Sequence, residues 1–274
     1  MRHRVTRPSV LVFAGLDPSG GAGIAADILA IQAQGAHALP IVTTLTVQDN
    51  DRVFDVFAVS CETIRRQSEA LLDKMSIDAV KIGLPGSLAN AHAIAQLITA
   101  LRLRDPGMPV VLDPVLASGH GDALSRGDAL LALAPLLPLA TLLAPNLAEA
   151  LALSRRDGED DGDLRTQARR LHELGCLHVL ITGGHGSGDD VVNRWFGPGP
   201  EHDINLARNV ARDWHWPRLP GEFHGSGCTL AAAIAARLAQ GEAMELALAN
   251  AQAYCHQALA QSYAIAPGQR IPLR

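Results

Sequence analysis

Short apolar runs alternate with Ala- and Leu-rich stretches of helical pattern along most of this chain, and that alternation restricts the fold more than any other feature. The run 10–14 is followed by a helical stretch at about 21–34 and a second apolar run at 40–47. Residues 79–84 precede a helical pattern around 87–101, 110–115 precede one around 122–133, and 141–144 and 179–182 are further apolar runs. Short apolar runs separated by helices are the pattern of βαβ units, whose parallel strands are covered on both faces by the crossover helices. The expectation is therefore an α/β fold with several parallel strands between two layers of helices. Hydrophobic residues make up 48% of the 274 positions and aromatics only 4%, so such a core must be filled mainly by Ala, Leu, Val and Ile. Residues 190–196 and 203–210 read as strands of a hairpin-like edge, 155–163 as a charged solvated loop, and 226–240 and 242–262 as two long Ala-rich helices. No repeat or low-complexity linker interrupts the chain, which is expected to form one domain over 1–274.

The formal net charge of -5 provides no basic field to gather nucleic acid or an anionic membrane. A phosphorylated small molecule remains a possible ligand, because helix N-termini and backbone amides bind phosphate without net positive charge. Cys61, Cys176, Cys228 and Cys255 are far apart and lack C-x-x-C spacing, so a reducing, cytoplasmic setting is expected, with Cys61, Cys176 and Cys255 as core thiols. The eleven histidines show no paired ligand spacing, and zinc is not expected. The apolar run 10–16 is short and ends at Asp17-Pro18, so it reads as the first strand rather than as a signal peptide or membrane span.

Ligands of open α/β sheets collect at the carboxyl ends of the strands, and the polar motifs of this chain fall there. Residues 14–23, Ala-Gly-Leu-Asp-Pro-Ser-Gly-Gly-Ala-Gly, match neither a dinucleotide G-x-G-x-x-G nor a P-loop. Within or near them Asp17 reads equally as a turn carboxylate or a ligand contact, and Asp27 as a solvent-facing helix residue. Gln48 ends a β-rich run; its amide both donates and accepts, which suits the edge of a flat ring bearing donors and acceptors, although a loop Gln would look the same. Asp113, delivered by the apolar run 110–115, is suited to hold Mg2+ or orient a phosphate, or simply to end the strand in a turn. Asn146 and Glu149, three apart at a helix start, can share a metal's water shell and equally form a capping box. Thr182-Gly183-Gly184-His185 could admit a nucleotide or be a plain turn. The strongest motif is 223–230, Phe-His-Gly-Ser-Gly-Cys-Thr-Leu, where Gly225, Ser226 and Gly227 leave amides bare at the positive end of a helix as an anion hole. Cys228, in its first turn, is expected to favour the thiolate over the inert packing thiol usual in an apolar helix. Trp214-His215-Trp216 reads as an edge-strand cover rather than a lid or dimer patch.

Taken together and in this order, Ala-Gly-Leu-Asp-Pro-Ser-Gly-Gly-Ala-Gly-Ile, Val-Leu-Asp-Pro-Val, Pro-Asn-Leu-Ala-Glu-Ala and His-Gly-Ser-Gly-Cys-Thr-Leu-Ala-Ala-Ala-Ile-Ala-Ala resemble the hydroxymethylpyrimidine and phosphomethylpyrimidine kinases of thiamine biosynthesis, within the ribokinase superfamily. The resemblance implies a ribokinase-like three-layer α/β/α sandwich with a mostly parallel sheet, ATP with Mg2+, two successive phosphorylations of 4-amino-5-hydroxymethyl-2-methylpyrimidine, and a homodimer. By position it implies that Gln48, Gly15, Asp27 and Leu84 meet the pyrimidine, and that Asp113, Asn146 and Glu149 organise Mg2+ and phosphates, with Asp113 and Glu149 as the metal ligands. Thr182 and Gly184 would face the nucleotide, Gly225, Ser226 and Gly227 would form the anion hole, and Cys228 would be the base, where sugar kinases of the superfamily place an Asp. Three departures bear on preference or rate: Thr182 stands where the family commonly has Lys, the segment 117–121 lacks a family Lys, and Leu84 replaces a usual Met. The competing expectations are a vitamin B6 kinase, whose substrate is also a flat ring bearing a hydroxymethyl group, and a weak paralogue that binds the pyrimidine without turnover.

Overall fold

A computed structural model describes residues 7–117, 121–122, 124, 129–198 and 211–274. Strand β1 (Ser9–Leu16) alternates Val10, Val12 and Ala14 on one face with Leu11 and Phe13 on the other, every one of them buried. A strand apolar on both faces must lie inside a covered sheet. It pairs in parallel with β2 (His37–Gln48) and β4 (Ala79–Ile82), and β5 (Val110–Leu112), β6 (Leu142–Leu143) and β7 (His178–Ile181) continue the parallel array. Antiparallel strands finish both margins, β3 (Val53–Ala58) on β2, and the pair β8 (Asp190–Phe196) and β9 (Ala211–Pro217) beyond β7. The order across the nine strands is β3-β2-β1-β4-β5-β6-β7-β8-β9.

The faces read from β1 continue across the sheet. Helices α2 (Cys61–Leu72), α3 (Leu88–Arg104), α4 (Ala129–Leu133), α5 (Leu147–Ser154) and α6 (Leu164–Glu173) pack on the side of Phe13, Ile82 and Leu112. On the side of Val12, Ala79 and Val111 lie α1 (Gly23–Ala33), α7 (Ser226–Ala239) and α8 (Met244–Ala260). The result is the three-layer α/β/α arrangement expected. Helix α7 is Ala-rich because it sits between the sheet and its helical neighbours: Leu230 through Ala236 are all buried, and small side chains let it pack closely on every side. Among the described residues no helix is long and apolar enough to cross a membrane.

Several expectations needed correction. β3 and α2 were not read from the sequence. The hairpin edge exists, but its second described strand is β9, which carries Trp214 and Trp216 as an edge-strand cover; 203–210 lie outside the described residues, as do Ser118, Gly119 and His120. Among described residues the helix expected at 122–133 begins at Ala129. Cys176 and Cys255 are buried thiols, whereas Cys61 opens α2 and is only half-buried. The charged stretch 155–163 is a solvated loop as read, with Asp163 capping α6.

From β1 the chain winds outward through β2 and β3, then returns to lay β4 on the opposite side of β1. Such a switch point opens a crevice at the carboxyl ends of the strands, and the motifs meet there.

Candidate active site

A cavity of ≈ 510 Å³ occupies that crevice, within the range of small-molecule sites. Gly15, Gln48, Leu84, Asp113, Asn146, Glu149, Thr182, Gly184, Gly225, Ser226, Gly227 and Cys228 all reach its wall, so strand ends and helix starts spread over more than 200 residues converge. Asp27 does not. It is fully buried in α1, neither solvent-facing nor on the cavity, and its carboxylate meets the ammonium of Lys81 at 2.9 Å. Asp27 is thereby corrected from a substrate contact to a residue behind the wall.

The turn after β1 is built around Asp17. Its carboxylate accepts from the amides of Ser19 (2.8 Å) and Ala22 (2.7 Å) and from the Ser19 hydroxyl (2.9 Å), and His224 Nε2 lies 2.8 Å away. Burial opposes ionisation here, but hydrogen bonds from His224 and Ser19 outweigh it and bring the carboxyl down to about 2. The glycines serve this meeting of two loops: a Cβ on Gly21 would come 2.2 Å from the His224 ring, and one on Gly225, at φ +79°, 2.1 Å from the Gly21 carbonyl oxygen. Arg274 ties the same loops together, donating to the Gly21 carbonyl (2.6 Å) and the Thr229 hydroxyl (2.8 Å). Gly15 leaves room for Leu84, whose Cδ2 would be 3.3 Å from an added Cβ, so strands β1 and β4 meet closely under the cavity.

Asn146 caps α5 and forms a complete capping box with Glu149: the Glu149 amide donates to Asn146 Oδ1 (3.0 Å) and the Asn146 amide to Glu149 Oε2 (2.9 Å). The capping reading of this pair therefore holds. Even so, burial and then the charge of Asp113 push the Glu149 carboxyl up to about 7. Asp113 is also raised by burial, against the pull of Lys81, and its Oδ2 is buried with no hydrogen-bond partner. Two carboxylates that repel each other at a cavity wall, one with an unused oxygen, are a donor set that a hard divalent cation would relieve. Among the described residues no three His, Cys, Asp or Glu cluster to hold an ion unaided, so phosphate oxygens and water would complete its shell.

The first turn of α7 supplies the anion hole. Gly225 caps the helix in the left-handed region, and the amides that follow it have no intrahelical acceptor. Cys228 opens part of its surface to the cavity but is packed deeply enough that burial pushes its thiol up to about 12, although Lys81 pulls the other way. The expectation of a favoured thiolate is thus corrected: the helix dipole is a smaller effect here than desolvation beside two buried carboxylates. Thr182 lies on the wall with its hydroxyl turned to the Pro145 carbonyl (3.4 Å), and Gly184 faces open space while its carbonyl accepts from Arg218 (2.8 Å).

Lys81 went unread in the sequence. It is fully buried in the middle of β4, and the signal was available: a charged residue inside Ala-Val-Lys-Ile, an otherwise apolar interior strand. His224 and Arg274 were also missed, because loop-to-loop contacts between residues 207 and 253 positions apart leave no local pattern.

With this geometry in hand, the likeness to known proteins is specific. A sequence profile described as phosphomethylpyrimidine kinase matches residues 17–272. The hydroxymethylpyrimidine/phosphomethylpyrimidine kinase of Streptomyces coelicolor is 34% identical over 269 residues, covering 96% of this chain and 93% of that protein. The Rhizobium meliloti protein of the same name is 36% identical, covering 94% and 93%. Among solved structures, the pyridoxal kinase of Bacillus subtilis superposes with a TM-score of 0.81 at 28% identity over 97% of each chain. The phosphomethylpyrimidine kinase of Clostridium difficile does so with a TM-score of 0.73 at 28% identity over 91% of this chain and 98% of that one. The fold is therefore ribokinase-like, and a profile match spanning every strand-end motif but Gly15 places this chain in the phosphomethylpyrimidine kinase family.

Proposed function

We propose that this chain, acting as one kinase domain, transfers the γ-phosphoryl group of ATP to the hydroxymethyl oxygen of 4-amino-5-hydroxymethyl-2-methylpyrimidine. A second transfer, to the monophosphate, gives the diphosphate for thiamine biosynthesis. The observation that carries this reading is the convergence of Gln48, Gly15 and Leu84 with Asp113, Glu149 and the 225–228 anion hole on one cavity, in a chain of this family. Gln48 would read the aminopyrimidine edge through its amide, with Leu84 and Gly15 shaping the wall beneath the ring. Asp113 and Glu149 would hold Mg2+, with Asn146 fixing Glu149, and Thr182 and Gly184 would border the nucleotide. What Mg2+ would supply when held there is neutralisation of the phosphate charge. The bare amides from Ser226 to Cys228 would receive the charge on the transferring group. Cys228 is the candidate acceptor of the hydroxyl proton in the first transfer, and it would act as the thiolate, a form favoured by the Lys81 charge against burial, after losing its own proton to solvent water. The second transfer needs no such proton acceptor, since the monophosphate is already ionised.

The higher structural overlap with a pyridoxal kinase gives the vitamin B6 reading a specific observation, but backbone overlap does not read ring contacts, and the sequence relatives bear pyrimidine kinase names. We also place the enzyme in the cytoplasm, on its four free cysteines, and expect a homodimer. Helix α7 cannot form the dimer face, being buried; exposed Leu45, Val47, Phe54 and Phe57 of β2 and β3 are the better candidates. The test is turnover with ATP and Mg2+ of the hydroxymethylpyrimidine, its monophosphate and pyridoxal side by side. Diphosphate from the pyrimidine, with the first transfer slowed in Cys228→Ala and the second little affected, is the expected result. Turnover of pyridoxal alone would move the chain to vitamin B6 chemistry, and binding without turnover would make it a non-catalytic binder.

A further inference from the structure

Lys81 occupies the centre of β4, flanked in register by Val12 and Val111, on the sheet face otherwise lined by Ala79, Val111 and Leu142. It has no exposure to bulk solvent, yet it forms part of the cavity wall. Its ammonium lies 2.9 Å from Asp27 Oδ2 and 3.8 Å from Asp113 Oδ2, the first a hydrogen-bonded ion pair, the second too long for a hydrogen bond. Gly83 makes room for it, since a Cβ there would come 2.9 Å from Nζ. Beyond Asp113 the line continues to the 225–228 turn, with Asp113 Oδ1 3.8 Å from where a Cβ on Gly227 would stand and the Cys228 side chain against the same carboxylate.

A buried cation serving only to neutralise Asp113 would close on it to hydrogen-bond distance, as Lys81 does on Asp27 Oδ2. Here Asp27, anchored in α1 behind the wall, draws the ammonium back, so Asp113 feels a fixed positive charge on its Oδ2 side without a hydrogen bond from it, and its Oδ1 stays turned toward the 225–228 turn. Without that charge Asp113 would face Glu149 as an uncompensated like charge. We propose that Lys81 is a positioning residue for phosphoryl transfer: held from behind by Asp27, its ammonium sets the orientation of Asp113 at the transfer site and leaves one Asp113 oxygen available. This rests on the reading that Asp113 serves the transfer.

The test pairs Lys81→Met/Asp27→Asn with Asp27→Asn and Asp113→Asn, measured for melting temperature and for kcat and KM with the pyrimidine. The double variant removes both charges of the buried pair, so neither partner is left charged without the other, and it should melt within about 5 °C of the parent. Its kcat should nevertheless fall at least ~100-fold, with KM changed less than ~3-fold, because Asp113 is present but unsupported. Asp27→Asn should fold and lose roughly 10-fold in kcat as Lys81 moves onto Asp113, and should raise the Mg2+ concentration needed to shift the melting temperature. Should the double variant unfold, this single one decides. A double variant with parental kcat, an Asp27→Asn variant with parental kcat, or an effect confined to KM would each overturn the proposal. If Asp113→Asn loses activity while the double variant keeps it, only the role of Lys81 fails; if Asp113→Asn keeps full activity, the role of Asp113 fails with it.

Discussion

Asp17 and the Asp113–Glu149 pair present carboxylates to the same cavity, Asp17 and Asp113 from the ends of buried parallel strands and Glu149 from the first turn of α5, and their electrostatics are opposite. Asp17 is surrounded by donors from Ser19, Ala22 and His224 and sits at about 2. Glu149 is pushed up to about 7, and Asp113 keeps a buried oxygen with no donor at all. The first carboxylate is finished by the protein and holds two loops in place. In the second pair Asp113 is left unfinished by the protein, and Glu149, although held in its capping box, is strained by burial and by Asp113, at a cost in stability that a ligand can return, which is how a folded chain keeps a cation site ready. Position at a strand end thus marks where ligands bind, while satisfaction of the side chain separates the scaffold from the site.

The sharpest way to break this comparison is to neutralise one member of each set. Asp113→Asn removes a charge the fold does not need and should cut kcat by ~100- to 1,000-fold, about 3–4 kcal/mol of barrier, while the melting temperature stays near that of the parent. A variant that lost stability in proportion to activity would put Asp113 in the scaffold beside Asp17.

The pH dependence of stability in Mg2+-free buffer is the next largest effect. For Glu149 the folded-state value of about 7 lies above its ordinary 4.5, so its contribution is fully present below pH 4.5 and is lost as pH rises toward 7. Asp17 runs the other way: its value of about 2 lies below 3.8, so its contribution is present above pH 3.8 and lost as pH falls toward 2. Glu149→Gln keeps an acceptor in the capping box and should gain on the parent between pH 4.5 and 7, by up to about 3 kcal/mol. Adding Mg2+ with ATP should erase much of that gain. Parallel melting curves for the two proteins across this range would show that Glu149 carries no strain.

Asp17→Asn should be a stability variant first. Exchanging an ionised acceptor for an amide that meets the donors of Ser19, Ala22 and His224 less well should cost about 2 kcal/mol near neutral pH, measured by denaturant unfolding. Activity should fall less than in Asp113→Asn, through loosening of the glycine turns. An unchanged unfolding midpoint with lost activity would make Asp17 a ligand contact.

Much of this was legible in the sequence because buried parallel strands are written as unbroken apolar runs, and any polar residue that ends one stands out. Asp113, Gln48 and Asn146 were found in that way, and the 225–228 turn by its glycines at the start of an Ala-rich helix. Asp27 was misplaced because α1 is buried among helices and sheet, leaving no polar face against which a buried acid could be told from an exposed one. Lys81 is the converse, a charge hidden inside a strand and explained only by a partner 54 positions away. Cys228 shows why a local rule failed: the helix start favours the thiolate, but burial beside Asp113 and Asp27 is a property of the assembled core. The edge strands β3 and β9 were harder to read since one of their faces meets solvent, as the exposed Phe54 and Phe57 show.

Arg52 and Asp122 test the comparison at its weak end. At the cavity rim Arg52 donates to Asp122 through Nε (3.0 Å) and Nη2 (2.6 Å), and the Val53 amide adds a third bond (3.0 Å), so this carboxylate is supplied with nearly as many donors as Asp17. The Arg52 side chain, however, is 56% exposed, and water and salt screen what it gives. If donor count alone made a carboxylate structural, Arg52→Ala would destabilise the chain as much as Asp17→Asn. Burial sets the worth of each bond, so the expected shift in melting temperature is the smaller of the two and shrinks further between low and high salt. Equal, salt-independent shifts would mean that the rim is as much a part of the scaffold as the turn after β1, and that donor count rather than burial separates both from Asp113.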